Sequence, residues 1–416
     1  MKRRFTLLLL LVSLVSRANS LLIPMDTEQA NHLKAYGVAY MVLKADGEVD
    51  WLLNYRGGSF LMPYSVAVER ECRVRGVTVE VMSDAKSAGI LAQIALPDAN
   101  MSAVKLVRAA RIVVYSPIKV SPSEFENTDA VLLALKYAEI PFDVVYDEEI
   151  LKGDLANYDW LHLHHEDFTG QYGRNLNRMS AEDISAQEAI ARKFGFKKVS
   201  QMKLAVAKTI KAFCAGGKYL FAMCSGAETF DIALAAEGVD IVDSQYDGDG
   251  MDPNAQEKLD FGKTVAFTNF TLDLNGGYYG MSFSDINSTA GTGWYDQTLG
   301  SFQLFEFSAK YDVIPTMLTQ NHESVIREFM GQTTAFRKST VKPNVLVMGT
   351  SQSADRYIYG EIGSGQWTFY GGHDPEGVRG FHRVPTDLNL HPHSPGYRLI
   401  LNNVLFPSAR KKKRKT

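Results

Sequence analysis

The chain has 416 residues, of which 45% are apolar and 22% are charged, and its formal net charge is -3. A chain of this length exceeds a typical single domain, so we expect two units or one enlarged domain. The charge argues against a nucleic-acid-binding protein, because neutralising phosphates requires a basic surface.

The N-terminus has the pattern of an export signal. Basic residues at 2–4 precede an apolar run at 5–15, and the small residues Ala18, Asn19 and Ser20 follow. The run is too short for a comfortable membrane span. The pattern therefore predicts a signal peptide over 1–20 and an exported protein, periplasmic or secreted. No later segment is long and apolar enough to span a bilayer, so no membrane span is expected.

Residues 21–109 predict an N-terminal α/β region. Strands are expected at 21–25, 49–53 and 77–81, with one helix running from Asp26 or Thr27 toward Leu43 and another over 65–71. This region carries no recognisable chemical motif.

Residues 110–405 predict a second unit in which strands alternate with helices. Strands are expected at 112–115, 142–145, 158–164 and 219–223, with helices between them, the first of which begins at Asp129 and runs over 129–138. Such alternation indicates a flavodoxin-like parallel sheet with helices on both faces and right-handed crossovers. Ligands in such sheets bind outside the carboxyl ends of the strands.

The pattern loosens between about 243 and 340, where glycine, aromatic and polar residues predict a large insertion or lid. Three β-like runs follow at 344–348, 357–362 and 366–370, and 397–405 predicts a closing helix. The end of the chain, 406–416, is a basic tail that we interpret as solvated.

The stretch from Gly216 to Gly238 organises this second unit. Its apolar run at 219–223 predicts a buried strand, and helical spacing of apolar residues begins at Ser225. Cys224 is therefore expected on the turn between strand and helix, where free backbone N–H groups face an oxyanion and the positive helix end favours a thiolate. The small Ser225 and Gly226 suit such a turn and are the predicted oxyanion-binding residues on it. The alternative is that Cys224 is a small buried hydrophobe.

His373 is the best partner for this cysteine. It follows the strand predicted at 366–370 and is preceded by two glycines that allow close backbone approach. A cysteine nucleophile needs a nearby base, and that base needs an acceptor, for which Asp374 or Glu376 is available. The alternative is a histidine that only caps a turn.

A histidine cluster ends the strand predicted at 158–164. His162 and His164 share one face, and His165 follows with Glu166 and Asp167. These residues could bind zinc. We favour instead a role for His164, His165 and the nearby Gly170 as the wall or oxyanion side of the cysteine site. No metal is predicted.

Other cofactor motifs are absent from the sequence. It contains neither a P-loop nor a dinucleotide glycine fingerprint, so no cofactor is expected. The acidic loop Asp243, Asp247, Asp249 and Asp252 resembles a calcium loop but has Asn254 where a bidentate Glu is required, which favours a solvated loop. Three cysteines do not make a disulfide framework in a chain this long. Pairing of Cys72 with Cys214 would leave Cys224 free.

The order of elements, with a cysteine after one strand and a His-x-x-Glu after a late one, resembles the class I glutamine amidotransferase-like superfamily over residues 110–405. In that family the cysteine forms a thioester with a glutamine amide, and a His and a Glu complete the triad. The resemblance implies Cys224, His373 and Glu376 in these roles. Two residues separate His373 from Glu376, whereas the family usually has one.

Nearly the whole chain, including 50–60 and 160–173, also resembles exported bacterial proteins that carry the name asparagine synthetase B. Enzymes with that activity use an N-terminal cysteine and a Ser-Gly-Gly-x-Asp-Ser signature, and neither stands in this sequence. ATP-dependent synthesis is therefore not expected.

Three hypotheses follow for the function, of which a metal-dependent hydrolase that uses the cluster from His162 to Asp167 is the third. The first is an exported cysteine-dependent amidase or hydrolase that acts on a small molecule. The second is a non-catalytic protein that holds a sugar, peptide or other small ligand in the same cleft. The sequence does not indicate an oligomeric state.

Overall fold

The computed structural model describes residues 18–116, 129–172, 179–274, 283–288, 301–312, 315–327, 335–376 and 385–410. The predicted signal peptide lies outside the described residues except for 18–20, and so does most of the basic tail. The fold is mixed α/β and is built on two sheets.

The first sheet is antiparallel and is formed by the N-terminal part of the chain in the order β4-β1-β3-β2-β5. Its strands are Ala18–Ile23 (β1), Val49–Leu53 (β2), Ser59–Pro63 (β3), Glu80–Ser83 (β4) and Ser102–Leu106 (β5). The accompanying helices are His32–Lys44 (α1), Val66–Arg75 (α2) and Asp84–Ala95 (α3). The predicted α/β character of this region is confirmed.

Helix α1 begins later than the sequence predicted. Asn31 is its N-cap, and the Asn31 side chain accepts a hydrogen bond from Lys34 N. Asp26, one of the two predicted starts, instead accepts a hydrogen bond from Glu28 N at 3.1 Å and forms an ion pair with Arg56 at 2.6 Å. An aspartate that closes a local turn competes with helix formation, so the helix is delayed.

The second sheet is large and mixes parallel with antiparallel pairs in the order β11-β10-β13-β14-β15-β9-β8-β6-β7, while β12 pairs with β14. Its strands are Ile112–Tyr115 (β6), Asp143–Val145 (β7), Trp160–Leu163 (β8), Tyr219–Met223 (β9), Phe302–Leu304 (β10), Val325–Ile326 (β11), Phe336–Arg337 (β12), Leu346–Thr350 (β13), Ala354–Ile362 (β14) and Gly365–Tyr370 (β15). The run β15-β9-β8-β6-β7 is parallel. The remaining pairs are antiparallel.

The helices of this part connect the parallel strands or follow them. They are Ala130–Tyr137 (α4), Asp147–Lys152 (α5), Ala181–Lys193 (α6), Val199–Ala215 (α7), Cys224–Ala235 (α8), Ser244–Asp247 (α9), Pro315–Leu318 (α10) and Pro395–Leu405 (α11). The described parts of the predicted insertion at 243–340 contribute β10, β11 and β12 to an antiparallel extension of the main sheet.

The two sheets share one hydrophobic core. Trp51 of the first sheet, Trp160 of the second and Leu399 of α11 belong to the same buried cluster. Tyr36 of α1 donates a hydrogen bond of 2.5 Å to Asn402 of α11. The N-terminal sheet is therefore packed onto the main one through α1 and α11.

A buried carboxylate fixes the amino-terminal ends of three parallel strands. Asp159, just before β8, accepts hydrogen bonds from Arg108 at 2.9 Å, from Arg111 N at 3.0 Å and from Lys218 at 3.0 Å. Burial would raise the pKa of Asp159, but these donors lower it overall. The Asp159 carboxylate therefore has a structural role at this edge of the sheet. The candidate functional residues lie at the opposite edge, where the parallel strands have their carboxyl ends. No helix among the described ranges is long and apolar enough to cross a membrane.

Candidate functional site

Cys224 stands on a sharp turn between a buried strand and a helix. Strand β9 ends at Met223 and α8 begins at Cys224, whose φ of 50° lies in the left-handed region. A non-glycine residue held there costs about 1–3 kcal/mol, and such strain is concentrated at functional sites. The backbone N–H of Cys224 donates to Gly372 O at 3.0 Å, which ties the turn to the end of β15.

Gly226 lets α8 approach the end of β8 closely. Its N–H donates to His164 O at 2.7 Å. A Cβ at this position would lie 2.8 Å from the same carbonyl oxygen and 2.9 Å from Glu166 Oε2. The sequence predicted that Gly226 would face an oxyanion, but its N–H group is used for this contact instead.

The structure brings the predicted cysteine and histidine together and adds two further imidazoles. One ligand atom from each of His164, His165, Cys224 and His373 lies within 4.8 Å of the others, and we call these four residues the Cys–His cluster. The ring centroids of His164 and His165 are 3.8 Å apart, and His373 lies 4.7 Å from the first and 4.4 Å from the second. The carboxyl ends of β8, β9 and β15 therefore meet in one site, as parallel strands require.

The partner of the His373 ring differs from the predicted one. His373 Nδ1 lies 3.0 Å from His164 Nε2, and His164 Nδ1 lies 3.2 Å from Asp129 Oδ2. Glu376, the predicted third member, instead pairs with His391 at 3.2 Å. Glu376 is close to His373 in sequence, but its side chain extends toward a later loop.

Asp374, the other predicted acceptor, is also used elsewhere. It accepts hydrogen bonds from Tyr397 Oη at 2.8 Å and from Thr386 Oγ1 at 2.6 Å. These contacts anchor the His373 segment to α11. The acceptor near the cluster is therefore Asp129, whose other oxygen caps α4 by accepting Val131 N at 2.7 Å.

Asp129 is the functional candidate that sequence reasoning missed. It was interpreted only as a helix start, although it also follows the neighbouring strand β6 at the same edge of the sheet. An N-cap carboxylate after a parallel strand lies beside the active edge, and that signal could have been used.

The other predicted site residues lie away from the sulfur or in the core. His162 is fully buried, and its ring contacts Phe221 O and Asp129 Oδ2, each at 3.2 Å. Gly170 packs against Ser200 at the start of α7, with φ of 79°. Of the histidines at 162–165, only His164 and His165 belong to the cluster.

Burial dominates the electrostatics of the cluster. Cys224 has no exposed surface. Burial raises the pKa of its thiol to about 12, although backbone and side-chain hydrogen bonding from Ser225 acts in the opposite direction. Burial and the adjacent His164 lower the pKa of His373 to about 3. The pair is therefore a neutral thiol beside a neutral imidazole near pH 7, whereas the sequence predicted a thiolate.

Glu166 provides a second buried acid near the turn. Burial raises its pKa to about 8. Its carboxylate accepts a hydrogen bond from His164 N, and its backbone oxygen accepts one from Thr229 Oγ1 at 2.6 Å. Glu166 therefore fixes the end of β8 against α8.

The remaining cysteines and the acidic loop are structural features. Cys72, Cys214 and Cys224 are all free and buried, so the considered Cys72–Cys214 pairing is absent. In the acidic loop, Lys198 forms ion pairs with Asp247 at 3.1 Å and also with Asp249. Lys198 thus offsets part of the negative charge of the loop that resembled a calcium site.

No protein-family model matches the chain, and no curated protein matches it either. Solved structures similar to the chain include the cytoplasmic protein STM3548 from Salmonella typhimurium, with 12% identity over 68% of this chain and 87% of that one and a TM-score of 0.35. The cytoplasmic protein STM1381 from Salmonella typhimurium LT2 is 10% identical over 72% of this chain and 100% of that one, with a TM-score of 0.36. A G. stearothermophilus GH42 β-galactosidase, Gan42B, is 11% identical over 64% and 28%, with a TM-score of 0.24. These distant likenesses assign neither a fold family nor a function.

Proposed function

We propose that this chain is a cysteine-dependent hydrolase of amide or related acyl bonds, with Cys224 as nucleophile and His373 as base. The observation that carries the proposal is the Cys224 turn, in which a strained residue between β9 and α8 lies within 4.8 Å of a histidine from β15. Strain at a buried strand-to-helix turn is the usual way to present a nucleophile at the edge of a parallel sheet.

The chemistry divides into two steps. The Cys224 thiol gives its proton to His373 while the sulfur attacks the acyl carbon, and the leaving amine takes that proton as the carbon–nitrogen bond breaks. Water, deprotonated by His373, then attacks the thioester carbon. The carbon–sulfur bond breaks, the sulfur takes the proton back from His373, and the carboxylic acid is released. His164 and Asp129 act as positioning residues, because they hold the His373 ring from the far side.

The order of the parallel strands supports the resemblance to the amidotransferase-like superfamily. The five parallel strands can be numbered 1 to 5 along the chain as β6, β7, β8, β9 and β15. Their order across the sheet is then 2-1-3-4-5, which is the flavodoxin-like arrangement. We extend the proposal to that fold class. The export signal predicted over 1–20 supports action outside the cytoplasm, where ATP-dependent synthesis lacks its co-substrate.

A second candidate function has one observation in its favour. The Cys224 sulfur is fully buried, and that favours a non-catalytic protein that only binds a small ligand at the same edge. For catalysis, the groups around the sulfur, which include the imidazoles of the cluster, must move before a substrate can reach it. Of these rings His165 is the exposed one.

Acylation by p-nitrophenyl acetate tests the proposal without knowledge of the substrate. The native, metal-free protein should form a thioester at Cys224, which peptide mass analysis locates. Cys72 and Cys214 are internal controls, since both are buried free thiols with raised pKa values. His373→Ala should slow the acylation of Cys224, while the matched control His391→Ala should not.

Two outcomes contradict the hydrolase. If Cys224 stays as inert as Cys72 and Cys214 until the protein unfolds, it is a core residue and not a nucleophile. Acylation that proceeds at the same rate in His373→Ala removes the histidine from the mechanism.

A further inference from the structure

The four residues of the Cys–His cluster have the composition of a transition-metal site. One thiolate and three imidazoles are borderline ligands that suit Zn²⁺ and related first-row ions. They come from three different strand ends, so the fold and not local sequence brings them together. The zinc alternative considered for the sequence used only the ligands at 162–167, and it lacked the distant partners.

We propose that His164, His165, Cys224 and His373 bind one Zn²⁺ ion, and that this ion masks the Cys224 sulfur. The binding stands apart from the hydrolase, whereas its consequence, a silenced nucleophile, rests on the proposed function. The exposed His165 ring offers the route by which the ion reaches the cluster.

The distances suit a tetrahedral ion. Zinc bonds of about 2.0–2.3 Å at tetrahedral angles place ligand atoms about 3.3–3.8 Å apart. The four atoms lie within 4.8 Å of one another, and His164 Nε2 is 3.0 Å from His373 Nδ1. Small ring rotations and a shift of about 1.5 Å or less per pair therefore complete the geometry.

Asp129 supplies the outer support that metal-binding histidines usually have. Its Oδ2 lies 3.2 Å from His164 Nδ1, a buried atom that has no hydrogen-bond partner among the described residues. A small rotation of the ring would let Nδ1–H donate to this carboxylate and would leave Nε2 for the ion. Asp129 is itself fixed, because Oδ1 caps α4. This carboxylate–histidine arrangement is what a bound metal requires of its second ligand layer.

Cobalt titration of the full-length, chelator-stripped protein tests the site without an activity assay. Co²⁺ should bind in a one-to-one ratio with a sulfur-to-cobalt charge-transfer band in the near ultraviolet, and Zn²⁺ should displace it. Cys224→Ser should abolish that band. Asp129→Asn should lower the affinity by about 10–100-fold, and His165→Ala by at least as much, whereas His391→Ala should leave it unchanged.

The outcomes separate this inference from the hydrolase. Absence of cobalt binding, or a charge-transfer band that persists in Cys224→Ser, overturns the metal site. His165→Ala keeps the test valid if Cys224→Ser does not fold, because the His165 ring is exposed. Zinc should suppress the acylation of Cys224, and a chelator should restore it. If the protein binds metal but Cys224 of the metal-free protein never reacts, the metal site is supported and the hydrolase is refuted. If Cys224 reacts but the protein binds no metal, the hydrolase is supported and the metal site is refuted.

Discussion

Because α8 lies close to β8, replacing glycine with alanine should change the unfolding free energy in opposite directions at Gly226 and at Gly89, although both glycines lie in helices. In Gly226→Ala the new Cβ meets His164 O at 2.8 Å and Glu166 Oε2 at 2.9 Å, so the helix must move away. Overpacking of this kind costs about 1–3 kcal/mol, and weakening the 2.7 Å hydrogen bond from Gly226 N costs about 1 kcal/mol more. The better helix propensity of alanine returns about 1 kcal/mol. The expected net loss of unfolding free energy is about 1–3 kcal/mol.

Gly89→Ala is the matched control, since Gly89 lies inside α3 and its new Cβ meets nothing within 4 Å. Here only the propensity changes, and the protein should gain about 1 kcal/mol. Urea denaturation of both variants measures the difference, which should be about 2–4 kcal/mol. Equal stability of the two variants would refute the close approach. Gly226→Ala should also weaken cobalt binding, because it separates Cys224 from His164.

Three further predictions concern buried charges. Lys203→Met should cost about 3–5 kcal/mol, because it leaves Asp147 buried without the Lys203 Nζ that lies 2.6 Å from it. Adding Asp147→Leu should restore much of the loss in a double-mutant cycle. Asp159→Asn should destabilise the protein near neutral pH. Since the folded pKa of Asp159 is lowered, its contribution is present above the unfolded value of about 3.9 and is lost as pH falls, so the two proteins should converge in acid. Burial lowers the pKa of His32 to about 2 and that of His322 to about 4. The stability that these two neutral histidines contribute is therefore present above about pH 6.5 and is lost as pH falls below it. His32→Asn should make the urea midpoint less dependent on pH in this range.

Each charge prediction has its own contradiction. A Lys203→Met protein as stable as the parent would mean that Asp147 is solvated. An Asp159→Asn deficit that does not shrink as pH falls below about 3.9 would place its origin in shape and not in charge. An unchanged pH slope in His32→Asn would show that His32 already accepts its proton in the folded state.

Local sequence signals were sufficient for the centre of the main sheet. The strand–turn–helix pattern around Cys224 and the strand before His373 are both confirmed, because short apolar runs bounded by glycine fix their own conformation. The rule that parallel strands end at one edge then predicts that these two residues share that edge.

The long-range pairings could not be predicted in the same way. The antiparallel N-terminal sheet and the strands that the region 243–340 adds to the main sheet depend on contacts between distant residues, which local patterns do not contain. The direction of a side chain is equally invisible. Glu376 turns toward His391, while Asp129, more than two hundred residues before His373, faces the cluster.

The exposed ring of His165 separates the two chemistries proposed for the cluster. His165 is a ligand in the metal site but has no step in the hydrolase, where its ring lies against those of His164 and His373, so its removal should have opposite effects on the two activities. In metal-free His165→Ala, acylation of Cys224 should be at least as fast as in the parent, because the path to the sulfur is wider, while cobalt affinity falls. His373→Ala, by contrast, should lower both, since that ring is base and ligand together. Loss of acylation and of cobalt binding together in His165→Ala would mean that His165 takes part in the reaction, and the division of roles within the cluster would then be wrong.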